Sequence, residues 1–270
     1  MKIVIGYPKL INKKLCKNPE YFKNLVVIIN RIKEELTKLD IQVVQPKHIE
    51  GNDICNSLWF RDNFINVDNK LYFLHKTTSK ERKPIKELNT IKEFNVMKDT
   101  RVKNGIIVEN YFIDGGDIIQ HNDVILVGIS ERTEKKAVEW FKSEFKNKEI
   151  IQIKHHSLHL DCCLCVLPNN VIVYSKKYIK SFPSKLRKKY KVYCLEDFMK
   201  KGEDTNLGTN LLIIGENIIT IDIKKFYKFY DFLKTQGFNV ILIPFFDLWK
   251  DNGGVRCLTQ WIDKGNQIVV

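Results

Sequence analysis

No apolar run in this 270-residue chain approaches the ~18–20 residues that a membrane-spanning helix needs. The opening MKIVIGYPKL lacks the apolar core of a signal peptide and reads as a strand. Cysteine is sparse and odd in number, seven in all, and no two C-x-x-C motifs pair as a zinc-ligand set. Neither a disulfide framework nor a zinc site is therefore implied, and reduced thiols fit a cytoplasmic protein. His-rich tracts, calcium loops and phosphate-binding loops are missing too, so neither a metal nor a cofactor is expected. No Pro/Gly/Ser-rich linker interrupts the chain, which reads as a single domain over residues 1–270.

What is present begins with a 44% hydrophobic content, enough apolar surface to exclude a wholly disordered chain. Lys and Arg outnumber Asp and Glu by 45 to 32, giving a formal charge of +13. That excess raises the question of a nucleic-acid partner. The lysines, however, are spread along the chain and interleaved with glutamate, as in Lys33-Glu34-Glu35 and Glu134-Lys135-Lys136. Only the run from Lys185 to Tyr190 is dense, and a solvated helical face accounts for it. The distribution argues against nucleic acid and leaves a small molecule as the expected partner; oligomeric state is not legible.

A short apolar run, a polar turn and a second apolar run recur about every 50 residues. The turns fall at Asp68-Asn69, Asn122, Asn169-Asn170, Glu216-Asn217 and Gly265. Asn, Asp and Gly tolerate turn dihedrals, and β-branched neighbours favour strands. After each hairpin comes a helical stretch and another apolar strand. Residues 133–146 set Ala137, Val138, Trp140, Phe141 and Phe145 near one stripe, followed by Glu149–Ile153. Residues 224–235 do the same with Phe226, Tyr227, Phe229, Tyr230 and Leu233, followed by Asn239–Ile243. A helix near Tyr21–Leu39 precedes the strand Ile41–Val44, and weaker helices fall at residues 80–98 and 177–201. The fifth hairpin reaches the end of the sequence, so its helix and strand must come from the N-terminus. Five hairpin–helix–strand units closing into a ring is the economical α/β architecture.

Four segments break this rhythm with polar groups. They are Asn56–Asn63, Ile113-Asp114-Gly115-Gly116-Asp117, Leu158–Cys162 and Asn252–Thr259. Each adjoins the start of an apolar run, and equivalent positions in a ring of repeats converge on one site. Cys257 follows a Gly-Gly pair, which permits close backbone approach or unusual dihedrals. Arg256 beside it supplies charge that favours a thiolate. Cys162, Cys163, Cys165 and Cys194 read as small core residues, and Cys16 and Cys55 have no motif around them. His159 and Asp161 are two apart, which in a strand puts both on one face. His155 and His156 read as loop residues with no such partner. In Asp114–Asp117 a turn accounts for the glycines, while the two flanking carboxylates are costly to bury without a cation. Asp62 pairing with Arg61 is the plain reading of that step. Carboxylates at Asp62, Asp114 and Asp161, an imidazole at His159 and a thiol at Cys257 together suit a planar cation with forked donors, a guanidinium.

Trp59-Phe60-Arg61-Asp62, Asp114–Asp117, Leu158–Asp161 and Gly253–Cys257, in that order, resemble the signature of the guanidine-modifying (pentein) superfamily. That group includes arginine deiminases, dimethylarginine dimethylaminohydrolases and amidinotransferases. The resemblance implies a five-bladed pseudo-symmetric α/β propeller and a cysteine-dependent hydrolase acting on the guanidinium carbon of an arginine-like substrate. It implies Cys257, His159 and Asp114 as catalytic residues, and Asp62 and Asp161 as substrate-binding ones. Val127–Thr133 is similar to a stretch that contacts the substrate carboxylate in the hydrolases, which implies that role for Arg132. Asp161 is similar to arginine deiminases and amidinotransferases, Asp114 to some dimethylarginine hydrolases and to amidinotransferases. An amidinotransferase, or a non-catalytic pentein acting as a binding module, stays open as an alternative.

Overall fold

Residues with left-handed backbone dihedrals mark the hairpins. Asp68 and Asn69 have φ of 50° and 60°, Asn122 51°, Asn170 59° and Gly215 56°. Those dihedrals match the right-handed strand twist at tight turns. The computed structural model describes residues 1–6, 19–45, 58–74, 105–244 and 253–264. The turn assigned to Gly265, the helix of residues 80–98, and Cys16, Cys55, Asn56, Ser57 and Asn252 lie outside the described residues.

The element order begins with β1 (Lys2–Ile5), α1 (Pro19–Lys38) and β2 (Gln42–Val44). β3 (Phe64–Val67), β4 (Lys70–Leu74) and β5 (Gly105–Val108) follow. Next come β6 (Ile118–His121), β7 (Val124–Ile129), α2 (Lys135–Glu144) and β8 (Glu149–Lys154). β9 (Leu164–Leu167), β10 (Val171–Tyr174), α3 (Ser184–Lys189) and β11 (Lys191–Cys194) form the next group. β12 (Leu212–Ile214), β13 (Asn217–Ile221), α4 (Tyr227–Thr235) and β14 (Asn239–Ile243) precede α5 (Val255–Leu258) and β15 (Thr259–Asp263).

Among the described residues these strands form five three-stranded sheets, ordered β15-β1-β2, β3-β4-β5, β6-β7-β8, β9-β10-β11 and β12-β13-β14. In each, the middle strand is antiparallel to its hairpin partner and parallel to the third strand. A parallel pair needs a crossover, which α1, α2, α3 and α4 supply. The N-terminus contributes more than the helix and third strand expected of it. β1 itself takes the middle position against β15, pairing Ile5 with Thr259 and Ile3 with Trp261. The fourth turn is Gly215-Glu216, since Asn217 already opens β13.

Two compact units divide the chain, Met1–Gly115 with Phe246–Gly265, and Gly116–Phe245 with Asn266–Val270. In the first, α1 buries Leu25, Ile28, Ile29, Ile32 and Leu36 at helical spacing. Its opposite face carries Arg31, Glu34 and Lys38, paired through Glu34 and Glu35. A cluster of Val4, Phe60, Phe64, Leu71, Phe73 and Ile262 joins its two sheets. In the second unit, α2 buries Ala137, Val138 and Phe141, and α4 buries Phe229, Tyr230 and Leu233. Each buried Val, Leu, Ile or Phe among them contributes about 1.5–3 kcal/mol relative to exposure. Tyr227 falls off the α4 stripe and is exposed, its hydroxyl donating to Asp222. No helix among the described residues is long and apolar enough to cross a membrane.

Candidate active site

Four one-turn helices carry the polar segments, and each runs into the first strand of a hairpin or its equivalent. The 3-10 turns Phe60–Asp62, Gly115–Asp117 and Leu160–Cys162 lead into β3, β6 and β9, and α5 leads into β15. The turn fixes where the polar side chain sits, and the apolar strand behind it anchors the turn in the core.

Within the first unit, three of these segments lock together. The Trp59 ring lies so close to Gly253 that a Cβ there would stand 2.0 Å from Cη2. A Cβ on Gly115 would stand 2.0 Å from the Arg61 carbonyl oxygen. Close approach, rather than unusual dihedrals or turn geometry, is therefore what these glycines supply. Arg61 donates from Nη1 to Gln260 Oε1 at 2.8 Å and from Nε to the Arg256 carbonyl at 3.3 Å. Gln260 answers from Nε2 to the carbonyls of Phe64 (2.6 Å) and Arg61 (3.2 Å). Its Oε1 also accepts from the Trp261 N–H at 2.9 Å. This staple ties the turn bearing Asp62 to the helix bearing Cys257, with Asp114 on the adjoining Gly115 turn. All three are buried: Asp62 is 6% exposed, Asp114 0% and Cys257 5%. A solvated surface carboxylate is excluded for both aspartates.

The second unit holds His159, Asp161 and Arg132. His159 is extended (φ −136°, ψ 163°), and the chain turns at once into Leu160–Cys162. His159 and Asp161 thus do not share a strand face; the turn brings them together instead. Side-chain ligand atoms of His159, Asp161 and Cys162 all lie within 4.8 Å of one another. The Cys162 Sγ stands 3.5 Å from Asp161 Oδ1 as a thiol donor to the carboxylate. Imidazole, carboxylate and thiol are the donor types zinc accepts, and all three are buried. Asp161 is further fixed through its carbonyl, which accepts from Thr209 Oγ1 at 3.4 Å. Arg132 is half-buried on the turn after β7, its N–H donating to Ser130 Oγ at 3.0 Å.

Asp117 and His155 form a buried pair that sequence reasoning missed. His155 Nε2 and Asp117 Oδ1 are 2.9 Å apart, with both side chains 0% exposed. His155 does follow β8 in a loop, as expected, but it has a partner after all: Asp117 lies 38 residues earlier, at the end of the Asp114–Asp117 motif. The cost of burying a carboxylate there was the one signal that a partner had to exist. Burial opposes ionisation of Asp117, but the His155 hydrogen bond, the nearby charges of His159 and His155 and the Thr133 hydrogen bond outweigh it and lower its pKa. Cys163 is the opposite case. Burial, then the charges of Asp117 and Asp161, hold its thiol well above the usual range. It is an inert core residue, as its apolar surroundings suggested.

Residues 17–192 match the family model of arginine deiminase, well over half of the chain. The chain belongs to the arginine deiminase family. With it comes membership of the guanidine-modifying, pentein superfamily. An uncharacterised Bacillus subtilis (strain 168) protein, YkgA, is 30% identical over 158 residues, 57% of this chain and 53% of that protein. The match thus spans about half the length of that curated relative. Among solved structures, the saxitoxin-pathway amidinotransferase SxtG of Microseira wollei superposes with a TM-score of 0.77 at 16% identity, over 97% of this chain and 94% of that one. Dimethylarginine dimethylaminohydrolase of Pseudomonas aeruginosa, bound to citrulline, gives 0.74 at 16% identity over 96% and 98%. The N-terminal domain of ArgZ, a cyanobacterial arginine dihydrolase, gives 0.74 at 14% identity over 97% and 98%. At such identities the likeness establishes the α/β fold of these enzymes. It leaves the reaction to be argued from the residues of this arginine deiminase family member.

Proposed function

We propose that this protein is a cysteine-dependent hydrolase of the guanidinium carbon of a small arginine-like compound, with Cys257 as nucleophile. The observation that carries the reading is the stapled first-unit cluster. A buried cysteine on a one-turn helix is bound through Arg61 and Gln260 to a turn bearing a buried carboxylate. Family membership supplies the substrate class. The five like-built sheets support reading the chain as a pentein whose blades they form.

The steps follow from the groups. The Cys257 thiolate adds to the guanidinium carbon, forming a C–S bond and a tetrahedral centre. As the centre collapses, the C–N bond to the leaving group breaks, and His159 delivers a proton to the departing ammonia or amine. An amidino-thioether remains on Cys257. His159, now neutral, takes a proton from water as its oxygen adds to the same carbon. The C–S bond then breaks, freeing the thiolate and a ureido product. Asp114 orients His159 or a guanidinium N–H, Asp62 and Asp161 grip the remaining nitrogens, and Arg132 pairs with the substrate carboxylate. A free thiol has a pKa of ~8.5, so a bound cation beside it favours the attacking thiolate. The same reading takes the protein as cytoplasmic, in line with a cysteine spacing that implies no disulfide framework.

Amidine transfer to an acceptor amine is the second reading, supported by Asp114 and Asp161, which both resemble the matching residues of amidinotransferases. Incubation with arginine, with and without glycine, separates the two. Citrulline formation supports hydrolysis. Ornithine with guanidinoacetate, formed only when glycine is present, supports transfer. Unchanged arginine turnover by Cys257→Ser would remove the nucleophile assignment under either reading.

A further inference from the structure

The proposed reaction makes no use of Asp117, a fully buried carboxylate bonded through both of its oxygens. Asp117 Oδ1 accepts the Leu160 N–H at 2.8 Å and faces His155 Nε2 at 2.9 Å. Asp117 Oδ2 accepts the Ser130 hydroxyl at 2.9 Å. The same Ser130 oxygen accepts the N–H groups of Arg132 (3.0 Å) and Thr133 (3.3 Å), while the Ser130 N–H donates to the Thr133 carbonyl at 3.2 Å. Leu160 directly follows His159, and Arg132 sits inside the Ser130 turn. The two oxygens of one carboxylate therefore hold two segments, each carrying a residue with a proposed role. An ionised carboxylate only accepts hydrogen bonds, so His155 Nε2 carries the proton that it shares with Oδ1. The space around the pair is closed as well. A Cβ on Gly128 would meet His155 Nε2 at 2.8 Å, and Asp117 Oδ1 and Leu160 Cβ at 2.9 Å.

We infer that Asp117 is a positioning residue that ties the turn bearing His159 to the loop bearing Arg132, with His155 fixing the carboxylate between them. The inference rests on the roles proposed for His159 and Arg132. A tie of this kind sets the proton carrier and the carboxylate-binding arginine at one spacing, so that a substrate anchored by its tail presents its guanidinium in register. The two arms of the tie then have separable kinetic signatures. Ser130 serves the arginine arm and His155 the imidazole arm, whereas a merely structural network would loosen both together.

The test compares arginine with its decarboxylated analogue agmatine on wild type and on Ser130→Ala, His155→Ala and His155→Gln. Ser130→Ala is expected to raise KM for arginine about tenfold while kcat, and KM for agmatine, change less than about twofold. His155→Ala is expected to lower kcat about tenfold on both compounds with little change in KM. His155→Gln, whose amide N–H can reach the same oxygen, is expected to recover most of that loss. Identical profiles for the serine and histidine variants, or no rescue by glutamine, would overturn the inference. Amide hydrogen exchange reads the tie without any turnover. In Asp117→Asn, the Leu160, Arg132 and Thr133 amides should all exchange about tenfold faster or more, with the Leu233 amide in α4 unchanged. A response confined to one of the two segments would sink the tie. Coupled exchange in a protein that turns over no guanidino compound would instead uphold the tie and reject the proposed function.

Discussion

Replacing Gln260 by leucine should unfasten the first unit's cluster. The side chain is 3% exposed and serves four groups: the Arg61 guanidinium, the Trp261 N–H, and the carbonyls of Phe64 and Arg61. Leucine fills similar volume, so the cost is in hydrogen bonds and not in a cavity. Losing a bond to a charged group costs about 1.5–3 kcal/mol, and each buried polar group left without a partner adds about 1–3. With partial relaxation of the neighbours, a total of about 3–5 kcal/mol follows. That is a large share of the about 5–15 kcal/mol that holds a typical domain together. Urea unfolding followed by tryptophan fluorescence reads the effect, since Trp261 is buried beside the staple. Gln260→Glu keeps an acceptor for Arg61 but loses both N–H donors, so it should recover only part of the stability. The catalytic efficiency of both variants should fall, because the staple joins the Asp62 turn to the Cys257 helix. A Gln260→Leu protein within about 0.5 kcal/mol of wild type would refute the reasoning.

Asp62→Asn and Asp161→Asn should chiefly raise KM, whereas His159→Ala should chiefly lower kcat; equal losses in both parameters for all three variants, measured by steady-state kinetics, would contradict the division of roles. His121 is buried against the Tyr190 hydroxyl at 3.1 Å. Burial lowers its pKa from 6.5, against a hydrogen bond to the Pro168 backbone that raises it. The unfolded chain therefore takes up that proton first, and stability is lost as pH falls from 6.5 through the folded value. The drop in urea midpoint between about pH 7.5 and pH 5.5 should shrink in His121→Phe, and an unchanged drop would remove His121 as the cause.

The hairpins were legible because their signal is local. Asp68, Asn69, Asn122 and Asn170 take left-handed dihedrals from their own residue type, and among the described turns only the fourth slipped, by one residue toward Gly215. Pairing at a distance was harder. The sequence marked Lys2–Ile5 as a strand but not as the middle strand against β15, because nothing local distinguishes one apolar strand's partner from another's. The site shows the same limit. Cys257 and Asp114 were singled out by chemistry next to glycine, and Asp62 by a carboxylate following Trp59-Phe60-Arg61. The reason for the glycines, a Trp59 ring and an Arg61 carbonyl pressed on them, exists only in the folded chain. His159 and Asp161 were paired correctly for the wrong reason: a 3-10 turn, not a shared strand face, brings their side chains together. The pairing of His155 with Asp117 was missed. The two are 38 residues apart, and only the cost of burying Asp117 hinted that a partner was needed.

Intact-protein mass spectrometry during turnover bears most directly on the chemistry. Wild type quenched while consuming arginine should carry one added amidino-type group, and peptide mapping should place it on Cys257. Cys257→Ser should show neither the adduct nor consumption of arginine. Continued turnover by the serine variant, or an adduct mapped to Cys162 in place of Cys257, would contradict the account.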